Sequence, residues 1–84
     1  MENNQEHYIV IAKWQADLEG DVDILAVEHT VEKAREVFGK RLEKERAFAE
    51  EHGFEVYTDD DLNFDAGLPG HYADGHIHLY VQMV

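Results

Sequence analysis

The chain has no cysteine, no serine, one proline, two threonines and only seven basic residues in 84 positions. Without cysteine, disulfides, thiolate chemistry and cysteine-ligated zinc are excluded. Nucleophilic catalysis has no Ser or Cys candidate, and the only threonines, Thr30 and Thr58, are accounted for by local structure. No apolar run approaches the ~20 residues that span a bilayer. The opening Met1-Glu2-Asn3-Asn4-Gln5-Glu6-His7 carries neither the basic nor the apolar region of a leader. These absences predict a cytoplasmic chain with no membrane partner. The shortage of bases is as informative. Seven against nineteen acids give a formal charge of −12, which rules out direct binding to a phosphate backbone.

What is present is globular in composition. Apolar residues make up 44% and aromatics 11%, enough for one small core but not two. A single domain over residues 1–84 is expected, with residues 1–6 as a flexible tail. His7 to Gln15 is β-branched and aromatic and reads as a strand, followed by a polar hairpin loop at Ala16–Asp21. Val22 to His29 is a second strand. Thr30 is placed to cap a helix whose apolar stripe runs through Val31, Ala34, Val37, Phe38, Leu42, Phe48 and Ala49. Gly53 supplies its stop, and Gly39 within it suggests a close approach to the sheet. Phe54 to Thr58 reads as a third strand. Residues 59–75 read as a long acidic, glycine-bearing loop. His76 to Val84 alternates Ile77, Leu79, Val81 and Met83 with polar or aromatic neighbours and is the clearest strand.

The predicted fold is therefore α+β in the order ββαββ: one four-stranded, mainly antiparallel sheet with a single long helix on one face. Such a helix covers one side only. The covered side is expected to hold Ile9, Ile11, Phe54, Val56, Ile77, Leu79, Val81 and Met83. Tyr8, Val10, Trp14, Tyr57, His78 and Tyr80 would line the other side. That aromatic surface would either meet a partner, including a second copy in a homodimer, or be covered by Leu62, Phe64 and Leu68 of the long loop.

Charge is unevenly placed. The helix carries six acids and six bases, with Glu36–Lys40, Arg41–Glu45 and Arg46–Glu50 at i,i+4 spacing. All of the net charge thus lies outside it, where Lys13 is the one base. Asp17, Glu19, Asp21 and Asp23 surround the first hairpin, and Asp59, Asp60, Asp61 and Asp65 open the long loop. Clustering like charges costs stability through repulsion and offers a surface attractive to cations.

Two metal-binding readings compete with this one. Asp59-x-Asp61-x-Asn63 with Asp65 matches the early ligands of an EF-hand loop, but Phe64 replaces its glycine and Gly70 its bidentate glutamate. His71, Asp74, His76 and His78 are zinc-ligand types, yet His76 and His78 two apart on a strand need further ligands from a loop. A solvated or interface-facing strand side is the expected reading, with no catalytic residue, metal or cofactor. The functional expectation is a small acidic binding protein that inhibits or sequesters a basic nucleic-acid enzyme, its carboxylates standing in for phosphates. Partner contacts are expected from the two acidic groups together with Trp14, Tyr57, His78 and Tyr80. In size and acidity the chain is similar to small phage anti-restriction and anti-CRISPR proteins, uracil-glycosylase inhibitors and nuclease immunity proteins, a likeness of composition with no shared motif. The alternative is a homodimeric interaction module with no nucleic-acid-related partner.

Overall fold

A computed structural model describes residues 6–16 and 18–84. Most of the expected N-terminal tail, and Asp17, lie outside the described residues. The elements are β1 (Tyr8–Ala16), β2 (Glu19–Glu28), α1 (Val31–Glu51), β3 (Glu55–Asp59), β4 (Asn63–Gly67), a 3-10 turn (Tyr72–Asp74) and β5 (Gly75–Met83). The strands form one antiparallel sheet in the order β2-β1-β5-β4-β3, so the α+β class holds with five strands instead of four. No helix among the described residues is long and apolar enough to cross a membrane.

The additional strand comes from the expected loop. Asn63-Phe64-Asp65-Ala66-Gly67 pairs with β5 on one side and β3 on the other. Phe64 and Ala66 are both fully buried beneath the helix, so this segment builds the core and does not fold across the far side of the sheet. Gly67 permits the return of the chain. A Cβ there would stand 2.7 Å from the Tyr72 ring and 3.1 Å from the Gly75 carbonyl oxygen. The hairpin loop expected at Ala16–Asp21 is likewise mostly strand, since β1 runs to Ala16 and β2 resumes at Glu19.

The helix starts and stops where expected. The Thr30 hydroxyl accepts from the Lys33 N–H at 3.2 Å, capping an otherwise free donor. Gly53 takes φ +71°, the left-handed conformation that ends helices, and Phe54 N–H returns to Ala49 C=O at 2.8 Å. Gly39 is not a point of close approach: a Cβ there would meet nothing within 4 Å. Ala34, Phe38, Leu42 and Ala49 are the buried helix positions, packed on Val10, Ala12, Phe64, Ala66 and Leu79.

The phase of β1 is opposite to the expected one. Val10 lies beside Val81 and Ala12 beside Leu79, so Tyr8, Val10, Ala12 and Trp14 face the helix. Ile9 and Ile11 instead share the open side with Tyr80 and His78. The cause is that Tyr8 to Ala12 is apolar at every position, so no alternation sets the face and cross-strand partners decide it. Val10 and Ala12 are smaller than the isoleucines. They leave room for Phe38, which is only 1% exposed.

Candidate functional site

β2 and β3 are the two edges of the sheet. The β2 acids and Asp59 at the end of β3 are therefore separated by four interstrand steps, about 19 Å at ~4.8 Å each, and Asp65 on β4 is three steps away. Their electrostatic states differ. Asp59 accepts two hydrogen bonds from Arg46, Nε at 2.9 Å and Nη2 at 2.5 Å, a bidentate charge-assisted pair. Asp61 meets Arg35 Nη2 at 3.2 Å. Asp65 accepts from the Tyr72 hydroxyl at 2.7 Å, and burial, with this bond adding to it, pushes the Tyr72 pKa upward. Of the second group, only Asp60 has no side-chain partner among the described residues.

The i,i+4 pairs expected along the helix are correspondingly reduced. Arg41 and Glu45 pair at 3.7 Å, while the expected Glu36–Lys40 and Arg46–Glu50 pairs are not formed. Arg46 is drawn to Asp59 because two parallel N–H bonds outweigh an exposed helical pair worth a few tenths of a kcal/mol.

The first group is organised by β2. Glu19 pairs across the sheet with Ala16, Asp21 with Trp14 and Asp23 with Ala12, which places all three on the helix side of the edge strand. All are exposed, and among the described residues no cation comes within ion-pair distance of them. Asp21 Oδ1 accepts only the Val22 N–H, at 2.8 Å. The opposite side of β2 is apolar and open, with Val22 53%, Ile24 59% and Val27 53% exposed. Asp17, the fourth expected member, lies outside the described residues.

The aromatic set is divided. Trp14 stands on the helix side, apart from the others. His78 and Tyr80 lie on the open side, their rings 4.5 Å apart, with the Lys13 ammonium 5.4 Å from the Tyr80 ring. Tyr57 is 5.9 Å from Tyr72, whose ring stacks on His76 at 4.2 Å. Tyr72 of the expected loop thus covers one corner of the open side.

The zinc-type cluster points in several directions. His76 Nδ1 is 3.0 Å from Tyr72 C=O, His78 Nε2 is 2.9 Å from Asn63 Oδ1, and His71 faces Asp74 at 3.6 Å. Among the described residues no three ligand-type side chains converge on a metal position. Burial lowers the His78 pKa, with Lys13 and His76 adding to the effect and Asp65 opposing it. Between the ordinary value of 6.5 and this lower one, the unfolded chain holds a proton that the native state lacks. Stability should therefore fall as pH drops through that window. The His78 ring resonance should titrate with a midpoint below 6.5, whereas a midpoint at or above it would remove His78 from the loss.

A cleft of about 580 Å³ between the end of α1 and the ends of β1 and β5 was not anticipated. Trp14, Phe48 and His52 meet there from distant parts of the chain, and no local motif joins them. Compared with known proteins, the chain matches no family model, no curated protein and no solved structure.

Proposed function

We propose that the chain is a small acidic binding protein that docks on the cationic groove of a nucleic-acid-binding enzyme and thereby inhibits or sequesters it. Binding, not catalysis, is its role. The observation that supports this reading is the row of Glu19, Asp21 and Asp23, exposed on one side of an edge strand with no cation in reach among the described residues. Carboxylates two residues apart on a strand repeat at about 6.7 Å, a regular row of negative charge of the kind a cationic groove receives from a phosphate backbone. Val22 and Ile24 on the reverse of the same strand supply the apolar contact that slows dissociation, while the acids steer encounter. Asp59 and Asp61 play a smaller part, because Arg46 and Arg35 already neutralise them.

The test begins with capture of partners from bacterial and phage-infected lysates at low salt, followed by elution with salt. Nucleic-acid enzymes should be enriched in the eluate. For a captured enzyme, combining Glu19→Gln, Asp21→Asn and Asp23→Asn should slow association about tenfold or more, as loss of electrostatic steering does. Glu36→Gln, Glu43→Gln and Glu50→Gln together remove the same charge from the helix and should change it far less. Equal losses from both sets would show that net charge alone is felt. Absence of such enzymes from the eluate would overturn the proposal.

A homodimer joined through the open side is the second reading, supported by the exposed Val22, Ile24 and Val27. Sedimentation showing only monomer at high concentration would remove it.

A further inference from the structure

The cleft beside the helix end is independent of the β2 edge, and its walls differ in chemistry. Trp14 of β1 and Phe48 of α1 stand at its rim, 39% and 43% exposed, and Phe54, Leu68 and Ile77 supply further apolar lining. Large aromatic side chains left this exposed around a concavity are unlike the rest of the helix side, where Phe38 and Phe64 are sealed. Phe48 holds its position through an edge contact with Phe54 at 5.8 Å and a tilted contact with His52 at 4.1 Å. A volume near 580 Å³ lies within the ~300–1,000 Å³ of small-molecule sites.

Two carboxylates and one guanidinium line the cleft. Glu45 is the informative one. Its side chain is only 14% exposed, yet its sole polar contact among the described residues is Arg41 Nε at 3.7 Å. That distance is beyond a hydrogen bond, so a largely sheltered carboxylate keeps unused acceptor capacity at the wall of an apolar cleft. Asp74 adds a second negative charge, and the −12 of the whole chain favours cations in any such recess. Aromatic faces attract ammonium groups as well.

We propose that this cleft binds a small arylalkyl ammonium compound, its apolar body between Trp14 and Phe48 and its ammonium group against Glu45. An anion would have to compete with Glu45 for Arg41, and a neutral body would leave the carboxylate without a donor.

Trp14 is the only tryptophan of the chain, so its fluorescence reports on the cleft without labelling. Phenylpropylamine, phenylpropanol and phenylpropionate share one body and differ in charge. The amine should change Trp14 emission saturably with a Kd on the order of 1 mM, about tenfold tighter than the alcohol, and the acid should bind most weakly. Glu45→Gln should bring the amine to the level of the alcohol and leave alcohol binding unchanged. Amide and indole shifts from the amine should centre on Trp14, Phe48 and Gly75. If Glu45→Gln lowers folded yield, those shifts in the unmodified protein still decide the matter. Tightest binding by the acid, retention of amine preference in Glu45→Gln, shifts centred on the open side, or no saturable response to the amine would each overturn the proposal.

Discussion

Replacing Phe64 with alanine should lower the melting temperature by about 15–30 °C. The side chain has no exposed surface and packs among Val10, Phe38 and Leu79 under the helix. Truncating a buried phenylalanine costs about 3–5 kcal/mol, because transfer energy is lost and the cavity closes only in part. In a domain of 60–100 residues each kcal/mol shifts the midpoint by roughly 4–8 °C, and total stability is only ~5–15 kcal/mol. Leu18, 99% exposed, provides the contrast: Leu18→Ala should leave the midpoint nearly unchanged. Thermal unfolding followed by circular dichroism compares the two. A loss below about 5 °C for Phe64→Ala would remove β4 from the core.

That experiment falls on the segment hardest to read from the residues. Asn, Asp and Gly are depleted in strands, and they occupy three of the five positions of β4. Its period of two, Phe64 and Ala66 against Asn63, Asp65 and Gly67, covers only two apolar residues and is set between an aspartate run and a glycine-proline turn. The helix was legible because its signals agree: Thr30 caps it, its stripe repeats at three and four, and Gly53 ends it. β5 was legible because its alternation continues over nine residues. In β1 both sides are apolar, so the element could be read and its facing could not.

For the site, the position of the charge could be counted along the chain, but its pairing could not. Arg46 has Glu50 four residues on, yet its bidentate partner Asp59 is thirteen residues away and depends on β3 running back beside the helix. The row on β2 needed the hairpin to extend through Glu19, which turns acids expected in a loop into one side of an edge strand. Such inward-side charges also protect an edge against pairing with another copy of itself. Glu19, Asp21 and Asp23 opposite their counterparts in a second β2 would repel, whereas an alternating basic strand or a cationic groove would not. Edge protection and attraction of a basic partner thus rest on the same three residues.

The C-terminal strand carries the other large effect, and its loss should have a sharp boundary. β5 is the middle strand, bonded to β1 on one side and β4 on the other. Val81 sits beside Val10, packs against the core, and donates its N–H to Leu62 C=O at 3.1 Å. Met83 and Val84 are 61% and 66% exposed, and Val84 contributes chiefly its two backbone bonds with His7, at 2.8 and 3.1 Å. At roughly 1 kcal/mol net for each bond, deleting Met83–Val84 should lower stability by about 2 kcal/mol and leave a cooperative transition. Deleting Val81–Val84 removes in addition a side chain whose burial is worth ~1.5–3 kcal/mol and the pairing that holds β4 at Leu62. It also uncovers Val10, which has no exposed surface. Together these losses approach the lower end of the ~5–15 kcal/mol that a whole domain possesses. The shorter chain should melt without a cooperative transition and lose the dispersion of its amide spectrum, while the two-residue deletion keeps both. A cooperative transition in the four-residue deletion would mean that Gly75–Tyr80, which keep their pairs with β4 from Asn63 to Gly67, suffice to hold the sheet, and would overturn this expectation.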